Sequence, residues 1–399
     1  MTERLYYADP YLTEFDAVVG SIELHGGREA ALLNRTAFYP TSGGQPNDTG
    51  RLDDVPVIDV VEREDGSVLH VVDGHLSAGR AVRGVVDRER RFDHMQQHTG
   101  QHILSAAFDR LWKARTVGFH LGAATSSLDL DRELSPGAIA ASEDEANRIV
   151  WENRPVTIRF ASEQEARALA LRKETDRAGE LRLIAVEGYD LSACGGTHVA
   201  RSAEVGVIAV TSWEKLRGGL RLEFLCGKRA LGGFRRLRDS VAGSVRHLSV
   251  SPEDLPAAIE RAQAENKDQR KVIRAQQERL AGFEAGALAA RAEAAGAERR
   301  VVEVLDGWDA VGLKAMAVAV AANPGHQVAL FSASAPVLAV IARSKDSRLD
   351  ARAVLAALLE RFGGKGGGKP DLAQGGGLTG DPKDILQAAR TAMTEAAGR

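Results

Sequence analysis

The hydrophobic rhythm of this chain changes three times along its length. Over the first 90 residues the apolar positions come in short β-branched runs, Val55-Pro56-Val57-Ile58-Asp59-Val60-Val61 and Ser67-Val68-Leu69-His70-Val71-Val72. Such runs, bounded by Gly and Asp, predict strands. A turn-rich loop, Gly43-Gly44-Gln45-Pro46-Asn47-Asp48-Thr49-Gly50, adjoins them. Closely spaced short strands predict a small β-barrel or sandwich over 1–90. From 91 the period lengthens. Segments 91–112, 142–151 and 162–172 predict helices, and 181–186, 205–210 and 221–225 predict strands. Helices packed on an antiparallel sheet make 91–240 a mixed α+β domain.

Over 241–298 the pattern is helical. Leu255, Ile259, Ala262, Asn266, Gln269, Ile273, Gln276, Leu280 and Phe283 follow four-three spacing, a heptad seam with polar residues in its middle. It predicts either a hairpin packing on itself or a coiled coil between two chains. Residues 299–399 predict a small C-terminal α/β domain. That domain contains Gly363-Gly364-Lys365-Gly366-Gly367-Gly368-Lys369-Pro370-Asp371. Read as a loop, this stretch offers backbone amides between two lysines, an arrangement suited to phosphate. The fold class is therefore multidomain α+β: a small N-terminal β-barrel, an α+β domain, a helical segment and a small C-terminal α/β domain.

Composition narrows the function classes. With 44% hydrophobic residues among 399, several domain cores are possible, and 27% charged residues fit a water-exposed surface. The net charge of −3 does not advertise a nucleic-acid binder, although an average can hide a basic face. Two cysteines, Cys194 and Cys226, exclude a disulfide framework and fit a reducing compartment. The first residues lack the apolar core of a secretion signal, and no apolar run approaches the roughly 20 residues of a membrane span. A cytoplasmic protein is expected.

Two short segments carry candidate chemistry. In His98-Thr99-Gly100-Gln101-His102 the four-residue spacing puts both imidazoles on one helical face. In Cys194-Gly195-Gly196-Thr197-His198 a thiol and a third imidazole flank a Gly-Gly turn. Two imidazoles, a thiolate and a third imidazole suit one zinc ion. His94 shares the same helical face, so spacing alone also permits it as a ligand. A metalloprotease is excluded, because Thr99 stands where that signature needs Glu directly after the first His. A closed four-ligand shell is the usual mark of structural zinc, whereas catalytic zinc keeps an open position.

These segments resemble the paired motifs of the editing domain of alanyl-tRNA synthetase, shared with the threonyl enzyme. Thr36-Ala37-Phe38-Tyr39-Pro40-Thr41-Ser42-Gly43-Gly44-Gln45-Pro46 resembles the glycine-rich motif that precedes that domain, and Gly366-Gly367-Gly368-Lys369-Pro370-Asp371-Leu372-Ala373-Gln374 the signature of its C-terminal domain. The motifs stand in the family's order, with no aminoacylation domain ahead of them. The whole resembles the freestanding editing proteins called AlaX, in their long form. AlaX proteins commonly carry an acidic residue and three glycines before the glutamine; Thr41-Ser42-Gly43-Gly44 is closer to the synthetase form.

The resemblance implies zinc held by His98, His102, Cys194 and His198, and hydrolysis of the ester that joins serine or glycine to alanine tRNA. A pocket accepting serine but sparing alanine needs a partner for the hydroxyl, and Thr36 is the candidate. Gln45 is the candidate for hydrogen bonding to substrate or terminal adenosine. Phosphate contacts fall to Arg217, Arg221, Lys228 and Arg229 after the second metal motif, and to Lys365 and Lys369 in the C-terminal domain. Pairing of two chains through the helical segment is a further expectation. The competing readings are a non-catalytic zinc-containing tRNA-binding protein and a phosphoesterase. The second lacks its Asp-His-His triplet, the nearest match being Asp93-His94-Met95.

Overall fold

The computed structural model describes residues 2–172 and 179–397. The chain forms two compact units, Met1–Ser244 and Val245–Arg399. The boundaries expected at 90 and 298 therefore fall inside compact units.

In the first unit, strict alternation over Glu14–Val19, the first half of the strand Glu14–His25, turns Phe15, Ala17 and Val19 inward and leaves Glu14, Asp16 and Val18 outside. The strand pairs with Arg28–Leu33 on one side and Ala81–Val86 on the other. Val68–Val72, Val55–Glu62 and Gly50–Leu52 complete a closed six-stranded barrel. Closure removes every exposed sheet edge. Phe15, Val19, Leu33, Phe38, Leu52, Val60 and Val82 fill the interior.

Helix α1 (Arg88–Trp112) follows, capped by the Asp87 side chain, which accepts from Arg90 N. Sequence patterning predicts one buried face, yet every residue from His94 to Phe108 is buried. A helix covered all round is a central strut, and its polar side chains must find partners inside. Around it lie a four-stranded antiparallel sheet (Ile208–Leu216, Gly219–Cys226, Ser126–Leu130, Thr116–Leu121) and a three-stranded one (Val156–Ala161, Leu181–Val186, Asp190–Ala193). Helix α2 (Pro136–Trp151) begins six residues before the predicted start, because Ser135 caps it and Pro136 fits its first turn. Helix α3 (Glu163–Ala168) opens with a capping box from Ser162 and Glu165 and stops short of the predicted 172. Val205 ends a short 3-10 turn instead of opening a strand, which begins at Ile208.

An ion pair buried at both ends fastens the barrel to α1. Arg91 Nε lies 3.1 Å from Asp48 Oδ2, and Arg91 Nη1 donates to Pro10 O at 2.7 Å. Asp48 Oδ2 also accepts from Tyr39 N at 2.7 Å. Arg91 thus holds both the start of the chain and the segment that carries Gln45.

Helix α4 (Gly227–Leu248) buries none of its residues. Helix α5 (Leu255–Ala290) packs Ala281, Ala285 and Leu288 into a core with Val301, Leu313 and Val328. Its seam residues Ile259, Ile273, Leu280 and Phe283 stay exposed. Beyond it a six-stranded mixed sheet runs in the order Glu293–Ala295, Glu298–Leu305, His326–Ser332, Val337–Arg343, Leu372–Leu378, Lys365–Gly368. Helices α6 (Ala310–Ala321), α7 (Ala351–Phe362) and α8 (Pro382–Ala397) accompany it. The glycine-dense stretch is a β-hairpin, where a loop was expected. A Cβ on Gly366 would lie 2.5 Å from Gly375 Cα, so bare backbone lets the two strands approach. No helix among the described residues is long and apolar enough to cross a membrane.

Candidate metal centre

Helix α1 presents His98 and His102 one turn apart, and the loop after Asp190–Ala193 brings Cys194 and His198 against them. One ligand atom from each of the four lies within 4.8 Å of all the others. Cys194 Sγ is 3.4 Å from His98 Nε2 and 3.4 Å from His198 Nε2. Bond lengths of about 2.3 Å to sulfur and 2.0–2.1 Å to nitrogen in a tetrahedron require S···N separations of about 3.5 Å. Cys194 Sγ and the ring nitrogens of His98 and His198 therefore already stand at that separation. His94 is buried on the same face but does not join the cluster.

The outer nitrogens decide which atoms face inward. His98 Nδ1 lies 2.8 Å from Gln45 Oε1, which also accepts from Thr197 N at 3.1 Å. Because the Thr197 N–H can only donate, it fixes the amide orientation, and Gln45 Nε2 donates to Thr197 Oγ1 at 2.9 Å. His98 must then donate through Nδ1, leaving Nε2 with its lone pair free. His102 Nδ1 lies 3.1 Å from Asp190 Oδ2, and Arg172 Nε donates to Asp190 Oδ1 at 2.7 Å. His198 Nδ1 lies 3.1 Å from Thr99 Oγ1. Every imidazole is held from behind, as metal-ligating histidines usually are.

Electrostatics agree with this arrangement. Burial alone would raise the Cys194 thiol, but His98, His198 and the hydrogen bond to His102 outweigh it and hold the group well below its ordinary range. Burial also works against the Asp190 carboxylate, yet its bonds from His102 and Arg172 bring it down to about 2. A thiolate with three imidazoles is a donor set for a borderline-soft divalent ion. The chain's own residues fit zinc.

The cluster opens onto a cavity of about 560 Å³, lined by His98, Cys194, Gly195 and Gly196 and by Tyr7, Tyr39, Phe160 and Arg182. Gly196 has no room for a side chain. A Cβ there would sit 2.2 Å from His98 Cε1.

The remaining residues singled out by sequence are distributed differently. Gln45 lies behind the cluster, fully buried, as a positioning group for His98. Thr36 is not brought to the cluster. It sits in the barrel interior 2.7 Å from His70 Nε2 and accepts from Phe38 N at 3.0 Å. His70 Nδ1 faces the Ala31 carbonyl at 3.1 Å, so Nε2 is the acceptor and the Thr36 hydroxyl is spent on it. Among the expected phosphate contacts, Arg221 grips Asp129 at 2.7 and 2.8 Å, and Lys228 pairs with Glu89 at 2.8 Å. Arg229 is half inside the fold, bonded to Asp93 and to Gly122 O. Their charge is already partly answered. Arg217, Lys365 and Lys369 are exposed, without an ion-pair partner among the described residues. Sequence reasoning missed Thr99, Asp190 and Arg182. Asp190 carried a faint signal, an acid four residues before the cysteine; the other two carried none.

Residues 181–222 match the threonyl and alanyl tRNA synthetase second additional domain, 298–395 the DHHA1 domain, and 13–90 the class II (A) tRNA synthetases. The alanine–tRNA ligase of Methanoregula boonei is 35% identical over 96% of this chain, and that of Methanoculleus marisnigri 36% over 94%. This chain spans only 42% and 41% of those proteins. The alanyl-tRNA editing protein AlaX-L of Pyrococcus horikoshii is 31% identical over 98% of both chains. With that coverage from end to end, the chain belongs to the AlaX-type alanyl-tRNA editing proteins.

Proposed function

We propose that this protein hydrolyses the ester joining serine, and also glycine, to alanine tRNA. One observation carries the reading: three imidazoles, each fixed through its outer nitrogen, converge on one thiol at the edge of a cavity. The name of the Pyrococcus horikoshii relative supports the choice of alanine tRNA. His98, His102, Cys194 and His198 would hold zinc, which when bound supplies Lewis acidity toward a carbonyl or a water.

The chain's own side chains do the rest. Gln45, Asp190 and Thr99 keep the ring nitrogens aimed, so the cost of orienting them is met in folding. Arg182 Nη1 donates to Cys194 O and Gly196 O, both at 2.8 Å, and holds the Cys-Gly-Gly loop in shape. Tyr7, Tyr39 and Phe160 give the cavity aromatic walls suited to a ribose and its base. Thr36 acts one layer back: by accepting from Phe38 N it fixes the segment that delivers Tyr39 and Pro40 to the cavity.

Arg217, Lys365 and Lys369 are the principal phosphate contacts in this reading, with Arg221, Lys228 and Arg229 secondary because of their carboxylate partners. The exposed seam of α5 supports pairing of two copies, and the reaction belongs in the cytoplasm.

The decisive experiment incubates the purified protein with Ser-tRNA(Ala) and Ala-tRNA(Ala), with and without chelator. Metal-dependent release of serine with alanine spared is expected. Metal-dependent folding without release of either amino acid would replace this reading with a binding protein built on structural zinc.

A further inference from the structure

Arg182 has no carboxylate partner among the described residues, and the Cys194 thiolate is the main opposite charge acting on it. Its strand, Leu181–Val186, runs beside the one that leads into Cys194. The side chain is buried, at 7% relative exposure, and lines the cavity next to the cluster. Nε donates to Tyr7 O at 3.1 Å, and Nη1 donates to Cys194 O and Gly196 O. Nη2 has no partner among the described residues. None of their carboxylates bonds the guanidinium; Glu62, which also lines the cavity, is engaged by Arg4. A buried guanidinium without a paired carboxylate is expensive; the one nearby thiolate, Cys194, is the group a metal would take, and a buried donor without an acceptor adds to the cost. Arg91, by contrast, spends its buried charge on Asp48.

We propose that Arg182 is the anion-recognition residue of this cavity, and that it receives a phosphate oxygen of the terminal nucleotide whose ribose carries the ester. The inference rests on the deacylase reading for the identity of the substrate and on Arg182 alone for the site. Arg182 touches the cluster only through the carbonyls of Cys194 and Gly196, and none of its nitrogens bonds Sγ or a ring nitrogen. It therefore stands back from the ligand atoms where the ester must lie. Going outward from the ester, the first anionic group of the substrate is the phosphate on the 5′ side of the same ribose. That group carries a permanent charge, which a permanent guanidinium answers in the ground state, and its geometry matches the arginine fork. The remaining contacts of Arg182 pin the fork in place, so little side-chain freedom is lost when the anion arrives.

The test compares adenosine with adenosine 5′-monophosphate as non-reactive probes of the zinc-loaded, full-length protein, by calorimetric titration. The monophosphate should bind at least about tenfold more tightly, the size of one charge-assisted hydrogen bond. Arg182→Gln should bring that ratio to within about twofold of unity, and Arg182→Lys should restore part of it, since a point charge still answers phosphate. Equal binding of both probes to the wild-type protein overturns the proposal without any variant. So does a ratio that survives Arg182→Gln. Should Arg182→Gln fail to fold, because Tyr7 and the Gly-Gly loop lose their brace, the wild-type ratio and Arg182→Lys still decide. Deacylation of Ser-tRNA(Ala) is measured in parallel. Hydrolysis with no probe preference sinks the arginine site and spares the enzyme; probe preference with no hydrolysis sinks the enzyme and spares the site.

Discussion

Replacing Gln45 by alanine separates two roles for one side chain. The amide makes three bonds: Oε1 accepts from His98 Nδ1 and Thr197 N, and Nε2 donates to Thr197 Oγ1. Alanine removes the group that fixes the His98 tautomer, and absence of such an outer partner lowers metal affinity about 10–100-fold. That corresponds to about 1.4–2.7 kcal/mol of binding. The variant also leaves the buried Thr197 N–H unpaired, which costs about 1–3 kcal/mol of folding stability. Gln45→Glu keeps an acceptor for His98, and its zinc affinity should stay within about threefold of wild type, well inside the 10–100-fold range for a missing partner. The assay is competitive zinc titration against a chromophoric chelator, with chemical denaturation of the zinc-loaded protein beside it. Had Gln45 been a substrate contact, Gln45→Ala would bind zinc normally and lose affinity only for aminoacyl-tRNA. That outcome would refute the positioning role.

Other expectations follow from the same geometry. Arg91→Ala strands the Asp48 carboxylate inside the fold and should lower stability by about 3–5 kcal/mol, measured by denaturant titration. Thr36→Val removes the proton donated to His70 and should reduce hydrolysis of Ser- and Gly-tRNA(Ala) equally; a reduction confined to serine would return Thr36 to the cargo. Burial brings the His70 imidazole down to about 4, partly offset by its bond to the Ala31 carbonyl. Below its unfolded value of about 6.5 the unfolded chain binds the proton and the folded chain does not, so stability falls between about pH 6.5 and 4, by roughly 3 kcal/mol in all. His70→Asn should make the fall in denaturation midpoints across that window shallower, the buried His94 still contributing to it. Arg217→Ala and the double change Lys365→Ala, Lys369→Ala should each weaken tRNA binding and lower its salt slope by about one for every phosphate no longer neutralised, while Arg221→Ala changes both less.

What the sequence disclosed about the site followed the range of its contacts. His98 and His102 were legible because helical spacing alone puts them together, and Cys194 and His198 because a Gly-Gly turn is short enough to bring both ends to one point. The support behind them was hidden. Gln45 meets His98 across 53 residues and Thr197 across 152, and His102 meets Asp190 across 88. No local periodicity encodes such distances. The barrel hid Thr36 in the same way, because its partner His70 lies 34 residues further on, in the barrel strand Val68–Val72. The glycine-dense hairpin reversed the ordinary reading of glycine: the residues that usually break strands were the ones that let these two meet.

The two buried arginines show why residue type alone could not assign these roles. Arg91 and Arg182 are both enclosed, and each ties chain segments together through backbone carbonyls. One has a carboxylate beneath it and fastens the barrel to the central helix. The other has, among the described residues, only carbonyls and an idle nitrogen beside the cavity. Burial costs both of them dearly; the first has a paired carboxylate, the second only the nearby Cys194 thiolate. The second gains its compensation when an anion enters, which ties the stability of the Cys-Gly-Gly loop to occupancy of the cavity. Adenosine 5′-monophosphate should therefore raise the unfolding temperature of the zinc-loaded wild-type protein more than that of Arg182→Gln, because a ligand stabilises only in proportion to its affinity for the folded state.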